Sequence, residues 1–345
     1  MITLLRDIYA FAQQLIPSPI NLFVKYRFSP VDLAAIDHRI DNDNNTQRYY
    51  ASSSKLATFD VLSYNVNNVA AYSPTRSRQI LRAIFTSGAD IILLQETNQA
   101  WEDLLRDDAI ALQFKYNYFH HPGTNDRPAG GIAILSQYPL ENVKILNFSK
   151  DVNGSVFPAL ICQVRIPIQS NTSTTTNHAT INIGNVHLRP PVNLDGSAWF
   201  DTARLTEPIR INEVKELIQR TQSERTPTQS TPLDIIAGDF NEGDMSGALS
   251  YLASLGYIDT LQQHVPRHKE THTWPFMRNM WILRKRLDHI LWHKNGPLTI
   301  TFNNNNGALG CYVELKCQGC GVMTGYEHGA SDHQPVLSRF AIMKR

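Results

Sequence analysis

Residues 234–244 read DIIAGDFNEGD. The apolar run Ile235-Ile236-Ala237 fits a buried strand that stops at Gly238. A carboxylate, an aromatic ring, an amide and a second carboxylate follow at once, as Asp239, Phe240, Asn241 and Glu242. Polar groups at the mouth of a buried strand are costly to desolvate unless something satisfies them. Taken singly, Asp239 and Asn241 are turn formers after a strand.

Moving outward, the pattern recurs. Apolar strand-like runs occur at 58–66, 90–96, 131–136, 159–166, 181–188, 233–238 and 286–292. Helical patterns fall at 75–87, 98–106, 201–220 and 246–255, the first opened by Ser73-Pro74 and closed by Gly88. Strands mixed with helices indicate a layered α/β domain, and near-continuous apolar strands indicate sheets covered on both faces. Asn65, Gln95-Glu96, His187, Asp239 with Asn241, and Ser331-Asp332-His333 all stand at strand ends, and Asp288-His289 lies within RLDHILW. Six polar sets at strand ends exceed what turns require, and rigid scaffolds hold functional side chains accurately at such ends.

Composition narrows the setting. The 345 residues are 42% hydrophobic and carry a net charge of +1, so no global field steers the chain to nucleic acid or membrane. Four cysteines exclude a disulfide scaffold, and Cys317-Gln-Gly-Cys320 is half a zinc knuckle without a second half. Residues 1–55 are expected to form an N-terminal amphipathic helix and a polar linker, with the helix docked on the domain or lying on a membrane surface. Residues 56–345 are expected to form the catalytic domain, interrupted by polar inserts at 169–177 and 221–232. Asn-x-Ser/Thr triplets do not establish secretion without a signal peptide, and an intracellular location is favoured.

The ordered series Ser63-Tyr64-Asn65-Val66, Gln95-Glu96-Thr97, Gly238-Asp239-Phe240-Asn241, Arg286-Leu287-Asp288 and Ser331-Asp332-His333 resembles the endonuclease/exonuclease/phosphatase (DNase I-like) superfamily, over about residues 58–341. The resemblance implies a four-layered α/β sandwich, with two packed mixed β-sheets flanked by helices and the site at one edge. It also implies a phosphoric ester hydrolase.

The residue types suit that chemistry. Hydroxide attack on an anionic phosphodiester is opposed electrostatically, and a hard divalent ion with oxygen ligands offsets the charge. Glu96, Asn65 and Asp332 are the candidate metal set, for Mg2+ with Mn2+ as a substitute; Asn65 either supplies its amide oxygen or orients Glu96. Asp239 is the candidate proton acceptor, and Asn241 would hold the water or a phosphate oxygen. His333, with Asp288 as the partner that fixes its tautomer by resemblance, and His187 are the candidate donors to the phosphate or leaving group. His289 should point to the opposite sheet face and read as structural.

Substrate choice rests on loops. Arg189 either pairs with phosphate or is a surface arginine before Pro190-Pro191, and Arg127 either reaches phosphate or sits in a solvated loop. Residues 267–286 interleave Arg267, Lys269, Arg278, Arg284, Lys285 and Arg286 with Trp274, Phe276 and Trp281. Such a loop suits nucleic acid, an anionic bilayer, or simply core tryptophans with solvated charges. Trp274 is the candidate substrate contact. The expected protein is a monomeric nuclease acting on DNA or RNA. A lipid phosphodiesterase or phosphatase acting at a membrane surface is the alternative, and a catalytically inactive binding module on the same fold is the alternative of another class.

Overall fold

The computed structural model describes residues 55–107, 112–121, 128–148, 151–168, 177–191, 202–223, 233–243, 247–265, 273–275, 284–294, 298–301, 313–323 and 330–344. The expected N-terminal helix and linker, Arg127, Cys311, the loop after Pro191 and most of 267–283 lie outside them.

In chain order, β1 (Lys55–Asn65) leads through α1 (Pro74–Thr86) to β2 (Ile91–Thr97), α2 (Gln99–Asp107), β3 (Tyr116–His120) and β4 (Gly131–Ser136). Then come β5 (Leu140–Leu146), β6 (Ala159–Ile168), β7 (Asn177–His187), α3 (Thr202–Ser223), β8 (Ile235–Asp239), α4 (Gly247–Ser254), β9 (Tyr257–Asp259) and α5 (Thr260–His264). The two-residue strands β10 (Trp274–Pro275) and β11 (Arg284–Lys285) pair with each other, and β12 (Asp288–His293), β13 (Thr299–Thr301), β14 (Val313–Val322) and β15 (Val336–Lys344) complete the chain. The expected elements recur with ends shifted by a few residues. Asn177 and Thr221–Ser223, assigned to polar inserts from sequence, belong to β7 and α3 instead.

The first sheet has the order β14-β15-β1-β2-β4-β3, and the second runs β5-β6-β7-β8-β12-β9 with β13 alongside β7. Each holds one parallel pair, β1 with β2 and β7 with β8, and its other pairs are antiparallel, so both sheets are mixed. Phe59, Val61, Ile91 and Leu93 of one inner face pack with Val164, Ile181, Ile183 and Ile290 of the other. Alternate residues, such as Leu62, Ile92 and Leu94, pack outward against Ile80, Ile84 and Trp101 of α1 and α2. Val186 and Ile236 do the same against Val214, Leu217 and Leu252 of α3 and α4. This is the period-two alternation of strands buried on both faces. The result is helix, sheet, sheet, helix: a four-layered α/β sandwich.

Backbone approach fixes the strand ends that matter most. Gly238 has φ 144°, and a Cβ there would stand 1.9 Å from the Val186 carbonyl oxygen. A Cβ on Gly131 would stand 1.7 Å from the Thr97 carbonyl oxygen. At Gly321 nothing lies within 4 Å. Gly238→Ala is expected to destabilise the protein by about 3 kcal/mol or more in denaturant unfolding, from overpacking and backbone strain together. Gly321→Ala is expected to stay within about 0.5 kcal/mol of wild type. Equal stabilities for the two variants would contradict this packing.

Candidate active site

Strand register assembles one row of functional groups. In the second sheet His187 pairs with Asp239 across β7 and β8, and Asp239 pairs with Asp288 across β8 and β12. These three residues therefore stand side by side at one end of that sheet. In the first sheet Asn65 pairs with Gln95 at the end of the parallel β1–β2 pair. Glu96 follows as an extra residue, because β2 slips register against β4 between Gln95 and Thr97. A bulge bends a strand and re-aims its side chain. Glu96 takes φ 59°, a costly conformation for that residue, on the order of 1–3 kcal/mol. Asn241 (φ 52°) and Asn67 (φ 56°) share the left-handed region, which asparagine tolerates better.

The two sheets meet at Asn65. Its Nδ2 donates to Glu96 Oε1 at 3.1 Å and to Asp239 Oδ2 at 3.0 Å, while its Oδ1 accepts from the Asn67 backbone N–H. Of the two roles open to Asn65 in the sequence, this arrangement matches the orienting one. Asn67 Nδ2 donates to Asp332 Oδ1 at 2.7 Å, and Asn68 N–H donates to Glu96 Oε2 at 3.2 Å. Ser331 Oγ donates to the Asn65 carbonyl and accepts from His333 N–H, which ties the 331–333 turn to β1.

Asp239 is the centre. Its Oδ1 accepts from Asn241 N–H at 2.8 Å. His187 Nε2 and His333 Nε2 lie 3.6 and 3.7 Å from its Oδ2, beyond direct hydrogen-bond length. The His333 ring is held from its other side, with Nδ1 2.8 Å from Asp288 Oδ2. Asp288 is itself fixed by its backbone N–H donating to Thr273 Oγ1. His187 stacks on Phe157, with ring centroids 4.2 Å apart. One Asn241 amide proton is taken by the Leu188 carbonyl. All of these side chains are buried or nearly so.

Burial and charge divide the two imidazoles. Burial disfavours the His333 cation, but the carboxylates of Asp288, Asp239 and Asp332 outweigh it and hold its pKa well above the ordinary value. Burial takes His187 down to about 4, with Asp239 only partly opposing it, so that ring is neutral at pH 7. Burial likewise raises Asp239 above the usual carboxylate range. Glu96 is pushed up to about 7 by burial and by the neighbouring Asp332 carboxylate. For Asp332 burial acts upward but is overcome by His333 and the Asn67 hydrogen bond, and its pKa is lowered. Two partly buried carboxylates so arranged favour a cation between them.

The structure thus brings together Asn65, Glu96, His187, Asp239, Asn241, Asp288, Asp332 and His333. Among the described residues, Asp239, Asp288 and His333 are the one trio of metal-ligating types with ligand atoms all within 4.8 Å of one another. They differ from the set expected from sequence, which centres on Glu96 and Asp332. The β8–β12 register sets Asp239 beside Asp288, and the Asp288–His333 hydrogen bond adds the imidazole.

Arg189 lies two residues beyond His187, and Trp274 directly follows Thr273. Arg189 is only 5% exposed, which removes the surface-arginine alternative. Its backbone N–H donates to Glu213 Oε2, its backbone carbonyl accepts from Arg210 Nη1, and Arg210 Nε pairs with Glu242 at 2.7 Å. This is a buried network between α3 and the strand ends. Trp274 is half-buried in β10, opposite Lys285. Its neighbour Thr273 is the residue that holds Asp288. His289 packs edge-on to Phe240 and binds Asp259 Oδ2 through Nδ1 at 2.6 Å, a structural environment. Cys162, Cys317 and Cys320 are buried free thiols. Sequence reading missed Asn67, Thr273 and Phe157; for Asn67 the only signal was its place in the Asn65-Val66-Asn67-Asn68 run.

Asp288→Asn is expected to lower the His333 pKa in the metal-free protein, read by NMR titration of the imidazole, since it removes the charge that most strongly favours the cation. An unmoved titration would separate the two residues. Activity is expected to fall ~10²–10⁴-fold in the same variant.

Comparison with known proteins places this geometry. Residues 62–333 match the model of the Endonuclease/Exonuclease/phosphatase family. A Bacteroides thetaiotaomicron protein of that family is similar in structure at TM-score 0.55 and 16% identity, covering 83% of this chain and 98% of the other. D. rerio TDP2, solved with a single-strand DNA product, gives TM-score 0.53 and 15% identity over 82% and 99% of the two chains. The catalytic domain of human Nocturnin, with a bound sulfate anion, gives 0.53 and 17% over 83% and 93%. No curated protein matches the sequence.

Proposed function

The chain belongs to the endonuclease/exonuclease/phosphatase family of metal-dependent phosphoric ester hydrolases, and from that premise we propose that it is a Mg2+-dependent nuclease acting through the Glu96–Asp239–His333 hollow. The observation that carries the reading is the Asn65 amide, which holds Glu96 and Asp239 on either side of itself at 3.1 and 3.0 Å. A metal-side carboxylate and a proton-accepting carboxylate are thereby fixed a few ångströms apart. The DNA product in the D. rerio TDP2 structure supports a nucleic-acid substrate.

The donor set fits a hard divalent ion. Glu96 and Asp332 offer carboxylate oxygens, and Mg2+ needs only one or two carboxylates while it retains waters. Burial and the neighbouring Asp332 carboxylate raise the Glu96 pKa to about 7, and a cation placed between the two carboxylates would favour their charged forms. When bound there, the ion would neutralise phosphate charge and favour attack at phosphorus.

The remaining chemistry belongs to the side chains. A water oxygen attacks phosphorus in line and its proton passes to Asp239, whose affinity for a proton burial has raised. Asn241 positions that water with its unspent amide capacity. Charged His333 donates a hydrogen bond to the phosphoryl oxygen on which negative charge grows, and Asp288 keeps its ring in place. Neutral His187 supplies a second N–H donor. As the bond to the leaving oxygen breaks, that oxygen takes up a proton from solvent water and departs as the free hydroxyl, and Asp239 returns its proton to solvent.

Asp239→Asn and Glu96→Gln are each expected to reduce Mg2+-dependent hydrolysis of bis-p-nitrophenyl phosphate and of single-stranded DNA and RNA by ~10²-fold or more. Full activity in Asp239→Asn would mean the base lies elsewhere. Turnover of sphingomyelin or phosphoinositides in place of nucleic acid would move the substrate to lipid. Mg2+ must displace the proton on Glu96 below pH 7. Its affinity, measured by calorimetry, is therefore expected to fall about tenfold per pH unit below that point and to level off above it.

A further inference from the structure

Beside Glu96 the chain exposes apolar groups that the fold does not use. The 3₁₀ turn Asn68–Tyr72 starts at the residue whose N–H donates to Glu96 Oε2. Asn67 caps that turn through its side chain and also holds Asp332. In a 3₁₀ helix residues i and i+3 lie on one face. Val69 and Tyr72 are such a pair, and both face solvent, at 52% and 72% exposure. Ala70 between them is buried. Four residues beyond Tyr72, Arg76 Nε donates to the Ala330 carbonyl at 2.8 Å, at the head of the Ser331-Asp332-His333 turn. The guanidinium is close enough to Asp332 to help hold that carboxyl down. An exposed ring, an aliphatic side chain and a tethered cation are thus fixed along one edge of the hollow.

We propose that the Asn68–Arg76 edge is a subsite for single-stranded nucleic acid, in which a base next to the scissile phosphate stacks on Tyr72 over Val69 and a neighbouring phosphate pairs with Arg76. Alternation of a flat apolar group with a cation matches alternating bases and phosphates, and base–aromatic stacking tolerates any sequence. The hydrogen bonds from Asn67 and Asn68 to Asp332 and Glu96 set this edge at a fixed place relative to the carboxylates. The inference rests on the nuclease reading and names the part of the substrate that the site grips.

The test pairs protein variants with substrate variants. Single-stranded oligonucleotides carrying one abasic nucleotide, moved stepwise past the cleaved bond, are assayed with wild type and Tyr72→Ala. At one position base removal and Tyr72→Ala are each expected to raise KM on the order of tenfold. The two together are expected to cost no more than either alone. Tyr72→Trp should restore the wild-type KM. Phe85→Ala, an exposed aromatic on α1 (54%), should leave it unchanged. Additive effects at every position, or no effect of Tyr72→Ala on an oligonucleotide that is cleaved, would overturn the subsite and leave the nuclease reading intact. Hydrolysis of bis-p-nitrophenyl phosphate without cleavage of any oligonucleotide would overturn both.

Discussion

The site depends on one side-chain amide reaching between two sheets. Asn65 ends a strand of the first sheet, and Asp239 ends a strand of the second. Neither sheet alone holds both Glu96 and Asp239. The Asn65 Nδ2 protons are shared between the two carboxylates, and charge-assisted bonds of this kind are worth more than neutral ones. A buried carboxylate left without a donor costs more than the ordinary 1–3 kcal/mol for an unsatisfied polar group. Deeper between the sheets a second amide pair repeats the device. Gln95 Nε2 donates to Asn185 Oδ1 at 2.7 Å, and Asn185 Nδ2 donates to the Leu94 and Ala133 carbonyls across the sandwich. The apolar core sets how close the sheets lie; these amides set how they align where chemistry requires it.

Such alignment needs a backbone that ordinary strands do not supply. Glu96 reaches the hollow only because β2 bulges, and the bulge brings the Thr97 carbonyl so near β4 that only a glycine at 131 fits. Asp239 reaches it because Gly238 lets β8 run tight against Val186 of β7. Local strain at Glu96 is offset by the hydrogen bonds that its two carboxylate oxygens accept, from Asn65 and Asn68. Glycine and carboxylate recur at both strand ends, and the bulge belongs to β2.

Much of this could be read from the amino acids. The apolar runs marked the strands because strands buried on both faces have little else to show, and the polar residues that stopped them marked the site. The bulge at Glu96 was not legible: QET reads as ordinary strand end, and the slip exists only relative to β4. A glycine at a strand start permits close backbone approach, and Gly131 is the residue pressed on Thr97. Asn67 and Thr273 escaped notice because their roles consist of hydrogen bonds to residues 265 and 15 positions away. Phe157 follows no strand-end pattern at all. An arginine before two prolines reads as exposed, and its burial follows from distant elements: its backbone N–H and carbonyl are held by Glu213 and Arg210 of α3.

The two histidines show why residue type alone could not assign roles. Both are buried, both end or adjoin strands, and both stand within 3.7 Å of the same Asp239 oxygen. Burial disfavours the charged form of each. His333 overcomes it because Asp288 sits on its far nitrogen and Asp332 is its chain neighbour, so three carboxylates face one ring. His187 meets only Asp239 at close range, has an aromatic face of Phe157 against its ring, and feels the charge on His333 as well. Charging one imidazole therefore disfavours charging the other, and the pair settles as one cation and one neutral ring. The proposed hydrolysis would gain from that asymmetry: a full positive charge beside the phosphate oxygens, and an uncharged donor where a second cation would draw the Asp239 proton affinity down.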